Sequence, residues 1–143
     1  MGLAARVITV SDRCARGEAE DRSGPLALSL LAGHGISADL ALVPDDIPAI
    51  RAAIRSACEA GARLVLTTGG ISYGSGDTVR EVLGSLGTVR FDNVAAWPGH
   101  ILGVGTVGGE DGGTATPIFC LPGDPVSAQV CFEVFVRPAL RHM

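Results

Sequence analysis

Lysine is absent from this sequence, and all 11 of its basic residues are arginine. This excludes a phosphate-binding loop that ends in lysine and a catalytic Schiff base, because both need the lysine amine. If the protein binds phosphate, backbone N–H groups, arginine or a metal ion must hold it. The net charge of −4 argues against nucleic acid as the main partner, because such proteins present basic surfaces.

The sequence also lacks long apolar runs and paired cysteines. No stretch approaches about 18 consecutive apolar residues, so no membrane span is predicted. The N-terminus has no charged head before an apolar core, so we expect no secretory signal and a cytoplasmic location. The 4 cysteines are far apart and form no C-x-x-C pair, which favours free thiols in a reducing compartment over a zinc site.

The segments that are present alternate between strand and helix patterns. "ARVITV", "ISADLALV" and "RLVLTT" predict strands, and each is followed by a helical pattern. "TVRFDNVA", "HILGVGTV" and "PIFCLP" predict three more strands before an apolar last helix, "DPVSAQVCFEVFV". Because such alternation builds mostly parallel sheets covered on both faces, we predict an α/β three-layer sandwich. Its length favours a single domain over residues 1–143.

Four polar loops follow predicted strands of this sheet. "SDR" follows the first strand, "TTGGISYGSGDT" begins at the end of the third, and "LPGDP" follows the last. Asp45 and Asp46 follow the second strand. Sheets of this class bind ligands outside the carboxyl ends of their strands, so this edge is the predicted site.

Two acids at this edge are candidates for metal binding. Thr78 and Glu81 form a capping box that would leave Asp77 outside the helix and able to face a ligand. The alternative is that Asp77 itself caps the helix. Because a carboxylate repels phosphate unless a cation lies between them, Asp77 and Asp45 together are predicted to bind Mg²⁺. The other interpretation is two solvated surface acids.

Other motifs have ordinary structural explanations. "GVGTVG" (103–108) matches the dinucleotide fingerprint, but no helix is predicted after it, so nucleotide binding there is not expected. In "LPGDPVSA", Asp124 is predicted to cap the last helix, with Pro125 at its first position. Ser11 and Ser72 have no evident His/Asp partners, so a serine hydrolase is not indicated.

Taken in order, these motifs resemble the molybdopterin-binding MogA/MoaB family and the related catalytic domain of MoeA proteins. "VITVSDRCARGEAEDRSGP", with "VPDD" downstream, is similar to the front half of the MogA/MoaB type, and "TTGG" followed by Asp77 is common to both branches. "VRFDNVAAWPGHILGVG" and "LPGDPVSAQVCFEVFVRPAL" look like MoeA, although Trp97 and His100 stand where MoeA has lysines. The resemblance covers nearly the whole chain and implies the molybdopterin-binding-domain fold.

The resemblance implies a role in molybdenum cofactor biosynthesis. Proteins of the MogA branch transfer an adenylyl group from Mg·ATP to molybdopterin, and those of the MoeA branch insert molybdate into the adenylylated pterin. We expect adenylyl transfer, because a lone domain with the MogA-type front half is enough for that step. Molybdate insertion and a non-catalytic pterin-binding or assembly module are the alternatives.

The resemblance also implies partners. The expected small-molecule partners are molybdopterin and ATP with Mg²⁺, and other cofactor-assembly proteins are further candidates. The last helix is apolar almost all round, with Val126, Val130 and Val134 at helical spacing, so we expect a homo-oligomer. The trimer usual for MogA/MoaB relatives is the expected form.

By position, the resemblance assigns roles to single residues. Asp77 and Asp45 would be the catalytic acids near the transferring phosphate and its Mg²⁺. The residues that would cradle the pterin phosphate are Gly69, Gly70, Ser72 and Gly74. The residues that would line the rest of the pocket are Ser11, Asp12, Thr68, Pro98, Gly99, Pro122, Gly123, Asp124 and Ser127.

Overall fold

The structure is a computed structural model, and it describes residues 4–69, 78–93, 101–108 and 115–141. The strands are β1 (Ala4–Val10), β2 (Ser37–Val43), β3 (Leu64–Thr68), β4 (Gly87–Asn93), β5 (Ile101–Val107) and β6 (Thr116–Leu121). The helices are α1 (Asp12–Ala15), α2 (Ser23–Ala32), α3 (Ile47–Glu59), α4 (Thr78–Leu86), α5 (Pro125–Cys131), a π-helical turn (Phe132–Val136) and α6 (Arg137–Leu140). The six predicted strands are all present.

The strands form one six-stranded sheet in the order β2-β1-β3-β6-β5-β4. β1 pairs in parallel with β2 and β3, and β3 pairs in parallel with β6. β5 is antiparallel to both of its neighbours, β4 and β6. The predicted mainly parallel sheet is confirmed, and β1, β2, β3 and β6 all end at the same edge of it.

Helices cover both faces of the sheet, as predicted. On one face, α2 and the last helix bury Leu31 and Phe132 against β1, β3 and β6. On the other face, α3 and α4 bury Ile54 and Leu83. Complete burial of each such side chain contributes roughly 1.5–3 kcal/mol relative to exposure. β3, buried at all of its positions, therefore lies at the centre of a three-layer sandwich.

Local capping fixes where two of the helices begin. The Asp46 side chain caps α3 by accepting a 3.1 Å hydrogen bond from the Ala49 N–H. Asp124 caps α5, and Pro125 takes the first helical position, as the sequence predicted. α4 begins at Thr78. The proposed capping box, with Thr78 as the cap, stays a prediction, because the Thr78 side chain lies outside what the structure describes.

The last helix contains a wide turn after α5. There the Arg137 N–H donates to the Phe132 carbonyl, five residues earlier, which is the π-helical pattern. Pro138 has no N–H to donate to the Val134 carbonyl, and this accounts for the interruption of regular α-helix. None of the helices in the described ranges is long and apolar enough to cross a membrane.

Ionisable groups with shifted pKa values lie away from the sheet edge discussed below. Arg6 of β1 donates two hydrogen bonds to Asp39 of β2, of 2.8 and 3.1 Å, and these bonds lower the pKa of the Asp39 carboxyl. All four cysteines are free thiols, and burial raises the pKa of Cys131. Neither feature belongs to the candidate site.

Candidate functional site

The carboxyl ends of the parallel strands β1, β3 and β6 lie side by side at one edge of the sheet. β2 lies on one side of β1 and β3 on the other, so the carboxyl ends of β1 and β3 form the topological switch point. The Gly69 N–H donates a 3.1 Å hydrogen bond to the Leu121 carbonyl, which ties the end of β3 to the end of β6. In open α/β sheets this is the position where ligands bind.

A cleft of about 230 Å³ opens at this point, and we call it the strand-edge cleft. The residues that line it from the ends of β1, β3 and β6 are Thr9, Val10, Ser11, Thr68, Gly69, Gly123 and Pro125. The residues that line it from α1 and from the segment leading into α2 are Cys14, Glu20, Asp21, Arg22 and Ser23. The predicted site residues Ser11, Thr68, Gly69 and Gly123 are thus brought together.

Close backbone approaches shape the floor of the cleft. Gly69 has φ +83°, and a Cβ atom there would lie closer than 3.0 Å to the Val10 carbonyl oxygen. A Cβ atom at Gly123 would lie 3.3 Å from the Gly69 α carbon. Gly69 and Gly123 therefore let three chain segments touch and leave their backbone groups next to the cleft.

Hydroxyl groups line the same floor. Thr9 and Thr68 are buried on neighbouring strands, with 3.4 Å between their Oγ1 atoms. The Ser23 hydroxyl donates a 2.5 Å hydrogen bond to the Gly123 carbonyl, which joins the start of α2 to the β6–α5 loop. The Ser11 hydroxyl accepts a 3.2 Å hydrogen bond from the Cys14 N–H and so caps α1. These contacts hold the cleft walls in fixed positions.

The acids predicted after β2 have different roles. Asp46 is the cap of α3, as described above, whereas the Asp45 N–H donates a 2.9 Å hydrogen bond to Oδ1 of Asp12. That bond places Asp45 beside a second carboxylate at the carboxyl edge. Carboxylates here suit Mg²⁺, which takes one or two of them together with substrate phosphates. In the described parts of the chain, no three or more His, Cys, Asp or Glu residues lie together in a group that could hold a metal ion.

The β6–α5 loop combines a structural role with a place at the cleft. Oδ2 of Asp124 accepts hydrogen bonds from the N–H and the hydroxyl of Ser127, at 3.0 and 2.9 Å. Pro122 is buried next to Gly123. Asp124, Ser127 and Pro122 are thus neighbours of the cleft wall rather than lining residues, and Asp124 serves as a helix cap.

Six predicted site residues lie outside the described residues. They are Gly70, Ser72, Gly74, Asp77, Pro98 and Gly99. Their proposed roles at the site, including metal binding by Asp77, stay predictions.

Sequence reasoning missed one wall of the cleft, formed by residues 20–23. Its signal was "EDRSG", in which an acid stands three residues before Gly24 at a helix start. The position of Gly24 explains why this segment reaches the site: a Cβ atom there would come closer than 3.0 Å to Oγ1 of Thr9 and to Oδ2 of Asp21. Glycine thus allows α2 to begin directly against the end of β1.

Known proteins share this fold and parts of this sequence. Residues 6–142 match the family described as "Probable molybdopterin binding domain". A solved structure of a tungsten cofactor synthesizing protein, MoaB from Pyrococcus furiosus, superposes with a TM-score of 0.78 at 28% identity, covering 99% of this chain and 96% of that one.

Two curated relatives match over shorter stretches. Molybdopterin molybdenumtransferase 2 of Mycobacterium tuberculosis is 46% identical over 86 residues, which are 56% of this chain and 20% of that protein. Molybdopterin adenylyltransferase of Pyrococcus furiosus is 43% identical over 76 residues, which are 53% of this chain and 43% of that protein. The matches thus span less than half the length of either relative. Because the family match extends over nearly all of its residues, the chain belongs to the molybdopterin-binding domain family, as the resemblance to MogA and MoaB proteins indicated.

Proposed function

We propose that this chain acts in molybdenum cofactor biosynthesis by binding molybdopterin at the strand-edge cleft and transferring an adenylyl group to it from Mg·ATP. One observation carries the proposal: the cleft lies at the switch point of the sheet, in a chain whose residues 6–142 match the molybdopterin-binding domain family. The adenylyltransferase relative supports the choice of reaction.

The reaction makes simple demands on the chain. A phosphate oxygen of the pterin forms a bond to the α-phosphorus of ATP, the bond from that phosphorus to the bridging oxygen breaks, and pyrophosphate leaves. Such transfers depend mostly on positioning and on stabilising negative charge. With no lysine available, the hydroxyls of Thr9 and Ser11 and the guanidinium of Arg22 are the cleft-lining groups that suit phosphate, because the Gly69 N–H is already bonded to the Leu121 carbonyl.

Two acids are the proposed ligands of the metal ion. Asp45 and Asp77 would hold Mg²⁺, which neutralises phosphate charge when it is bound. The backbone bond from Asp45 to Asp12 would fix the position of one of these ligands relative to β1. Asp46 takes no part, because its carboxylate caps α3.

Molybdate insertion is a second candidate function, because the molybdenumtransferase relative is 46% identical over its matched stretch. That relative is much longer than this chain, and the match covers 20% of it. Residues outside the matched stretch would then complete the insertion site.

Incubation of the purified chain with Mg·ATP and molybdopterin tests these candidates. Adenylyl transfer gives adenylylated pterin by mass spectrometry, together with pyrophosphate. AMP release that needs both molybdate and preformed adenylylated pterin would instead indicate insertion. Pterin binding without turnover would indicate a non-catalytic module, and failure to bind molybdopterin would overturn the proposal.

We also propose that the chain assembles into a homo-oligomer, with a trimer as the expected form. The last helix buries one side against the sheet but exposes Val126, Val134 and Phe135, at 67%, 54% and 37% of their surface. Apolar groups that protrude together from one element mark an interaction surface.

Val134→Glu is therefore expected to give monomers, because a buried interface does not tolerate an unpaired carboxylate. Val104→Glu is the matched control, since Val104 is also exposed but lies on β5. Light scattering at micromolar concentration measures both. A monomer mass for the unmodified chain would rule out the assembly.

A further inference from the structure

The two carboxylate oxygens of Asp21 are in different situations. Oδ1 accepts a 3.0 Å hydrogen bond from the Gly24 N–H, in the first turn of α2. Oδ2 has less than 1 Å² of exposed surface and no hydrogen-bond partner within the described parts of the chain. Buried polar atoms in native proteins nearly always have partners, so an acceptor without one needs an explanation.

The residues that follow Asp21 hold this chain segment in place. Ser23 is bonded to the Gly123 carbonyl, and Gly24 packs against Thr9 without space for a side chain. The segment is therefore attached to the ends of both β6 and β1. A carboxylate oriented by one oxygen and supported in this way is a pre-organised acceptor at its other oxygen.

Capping alone does not explain an aspartate at this position. The Gly24 N–H needs a single acceptor, and serine, threonine or asparagine supplies one as well as aspartate does. The second oxygen adds a desolvated charge without adding to the cap, which is unfavourable unless something binds it. Asp21 also lines the strand-edge cleft, and the rest of its side chain is partly exposed there.

We propose that Oδ2 of Asp21 accepts a hydrogen bond from an N–H or O–H group of the small molecule bound in the strand-edge cleft, and that it selects ligands with a donor at this point. The inference rests on the proposed function for the identity of the ligands. The donors that we assign to this contact are the 2-amino group of the pterin ring or a ribose hydroxyl of ATP. Because Oδ2 has less than 1 Å² of exposed surface, the contact requires the carboxylate to turn toward the cleft when the ligand binds.

Three variants separate a ligand contact of Oδ2 from the capping of α2 and from the mere loss of a negative charge. Asp21→Ser keeps an acceptor for the Gly24 N–H and deletes the second oxygen. Asp21→Asn keeps both positions filled but presents an NH₂ donor in place of Oδ2, once its oxygen pairs with Gly24. Glu18→Gln is the control, because it removes the same charge from the same part of the chain but outside the cleft lining. Glu18 is exposed, and its carboxylate pairs with Arg16 at 2.9 Å.

Calorimetric titration with paired probes identifies the donor. One pair is a 2-amino-4-oxopteridine and the matching 2,4-dioxopteridine, and the other is Mg·ATP and its 2′-deoxy and 3′-deoxy analogues. We expect the unmodified chain to favour the donor-bearing member of one pair by about tenfold or more, the effect of one charge-assisted hydrogen bond. Asp21→Ser and Asp21→Asn should abolish that preference while the denaturation midpoint stays at or above that of the parent. Glu18→Gln should keep the preference.

The remaining outcomes overturn the inference. If the unmodified chain shows no preference within either pair, or if the preference survives in Asp21→Ser, then Oδ2 contacts neither the 2-amino group nor a ribose hydroxyl, and the inference is wrong. Variants that unfold more readily but bind normally would show that Asp21 serves only as a cap. Titration with molybdopterin itself tests the proposed function separately, because binding that ignores Asp21 would leave that function intact.

Discussion

Alanine in place of Gly69 is expected to lower the free energy of unfolding by about 3 kcal/mol. A backbone φ of +83° costs a residue with a side chain about 1–2 kcal/mol. The new methyl group would also lie closer than 3.0 Å to the Val10 carbonyl oxygen, a crowding that typically costs about 1–3 kcal/mol. Urea denaturation of the variant and the parent measures the sum.

Gly61→Ala separates the two contributions. Gly61 has φ +82°, nearly the same as Gly69, but a Cβ atom there would meet nothing within 4 Å. We expect this control to lose only the backbone contribution, about 1–2 kcal/mol. Equal losses in the two variants would mean that Val10 and Gly69 do not approach closely, and the described floor of the strand-edge cleft would be wrong.

The Gly69 substitution should also affect the site. Val10 and Gly69 both line the strand-edge cleft, so relief of the crowding must move the end of β1 or of β3. Ligand affinity is then expected to fall in Gly69→Ala and to stay unchanged in Gly61→Ala, whose position is at the far end of α3.

The position of the strand-edge cleft could be predicted because the pattern that sets it is local. Alternating strands and helices make the sheet mainly parallel, and parallel strands bring the loops that follow them to one edge. The roles of Asp124 and Pro125 were equally local, since a helix cap depends on only a few neighbouring residues.

The other features of the fold and of the cleft depend on contacts between residues that are distant in sequence. Asp45 and Asp46 look equivalent in sequence, and only the start of α3 shows that Asp46 is the cap. The wall at residues 20–23 faces the cleft because Gly24 lets α2 begin against Thr9, a contact across 15 residues that no local pattern contains. The place of β6 beside β3 likewise follows from packing of the whole sheet.

Asp77→Asn is expected to lower the rate of adenylyl transfer by about 100-fold or more and to leave the fold intact. Asp77 is a proposed Mg²⁺ ligand beside the transferring phosphate, and loss of one electrostatic contact to developing charge typically costs about 10²–10³-fold in rate. The following helix α4 buries Val79, Val82 and Leu83 in the core, and asparagine caps a helix as well as aspartate does. The free energy of unfolding should therefore change by less than about 1 kcal/mol.

Two matched substitutions test whether Asp77 acts as a metal ligand. Asp45→Asn should lose activity as Asp77→Asn does, and the double variant should lose little more than either one, because ligands of one metal act as a unit. Asp46→Asn should keep both activity and stability, because asparagine caps a helix as well as aspartate does. Transfer rates with Mg·ATP and molybdopterin, together with urea denaturation, are measured for the four variants and the parent. Activity of Asp77→Asn within about twofold of the parent, or its severe unfolding, would make Asp77 a structural residue, and Asp45 beside Asp12 would then need another partner to hold the ion.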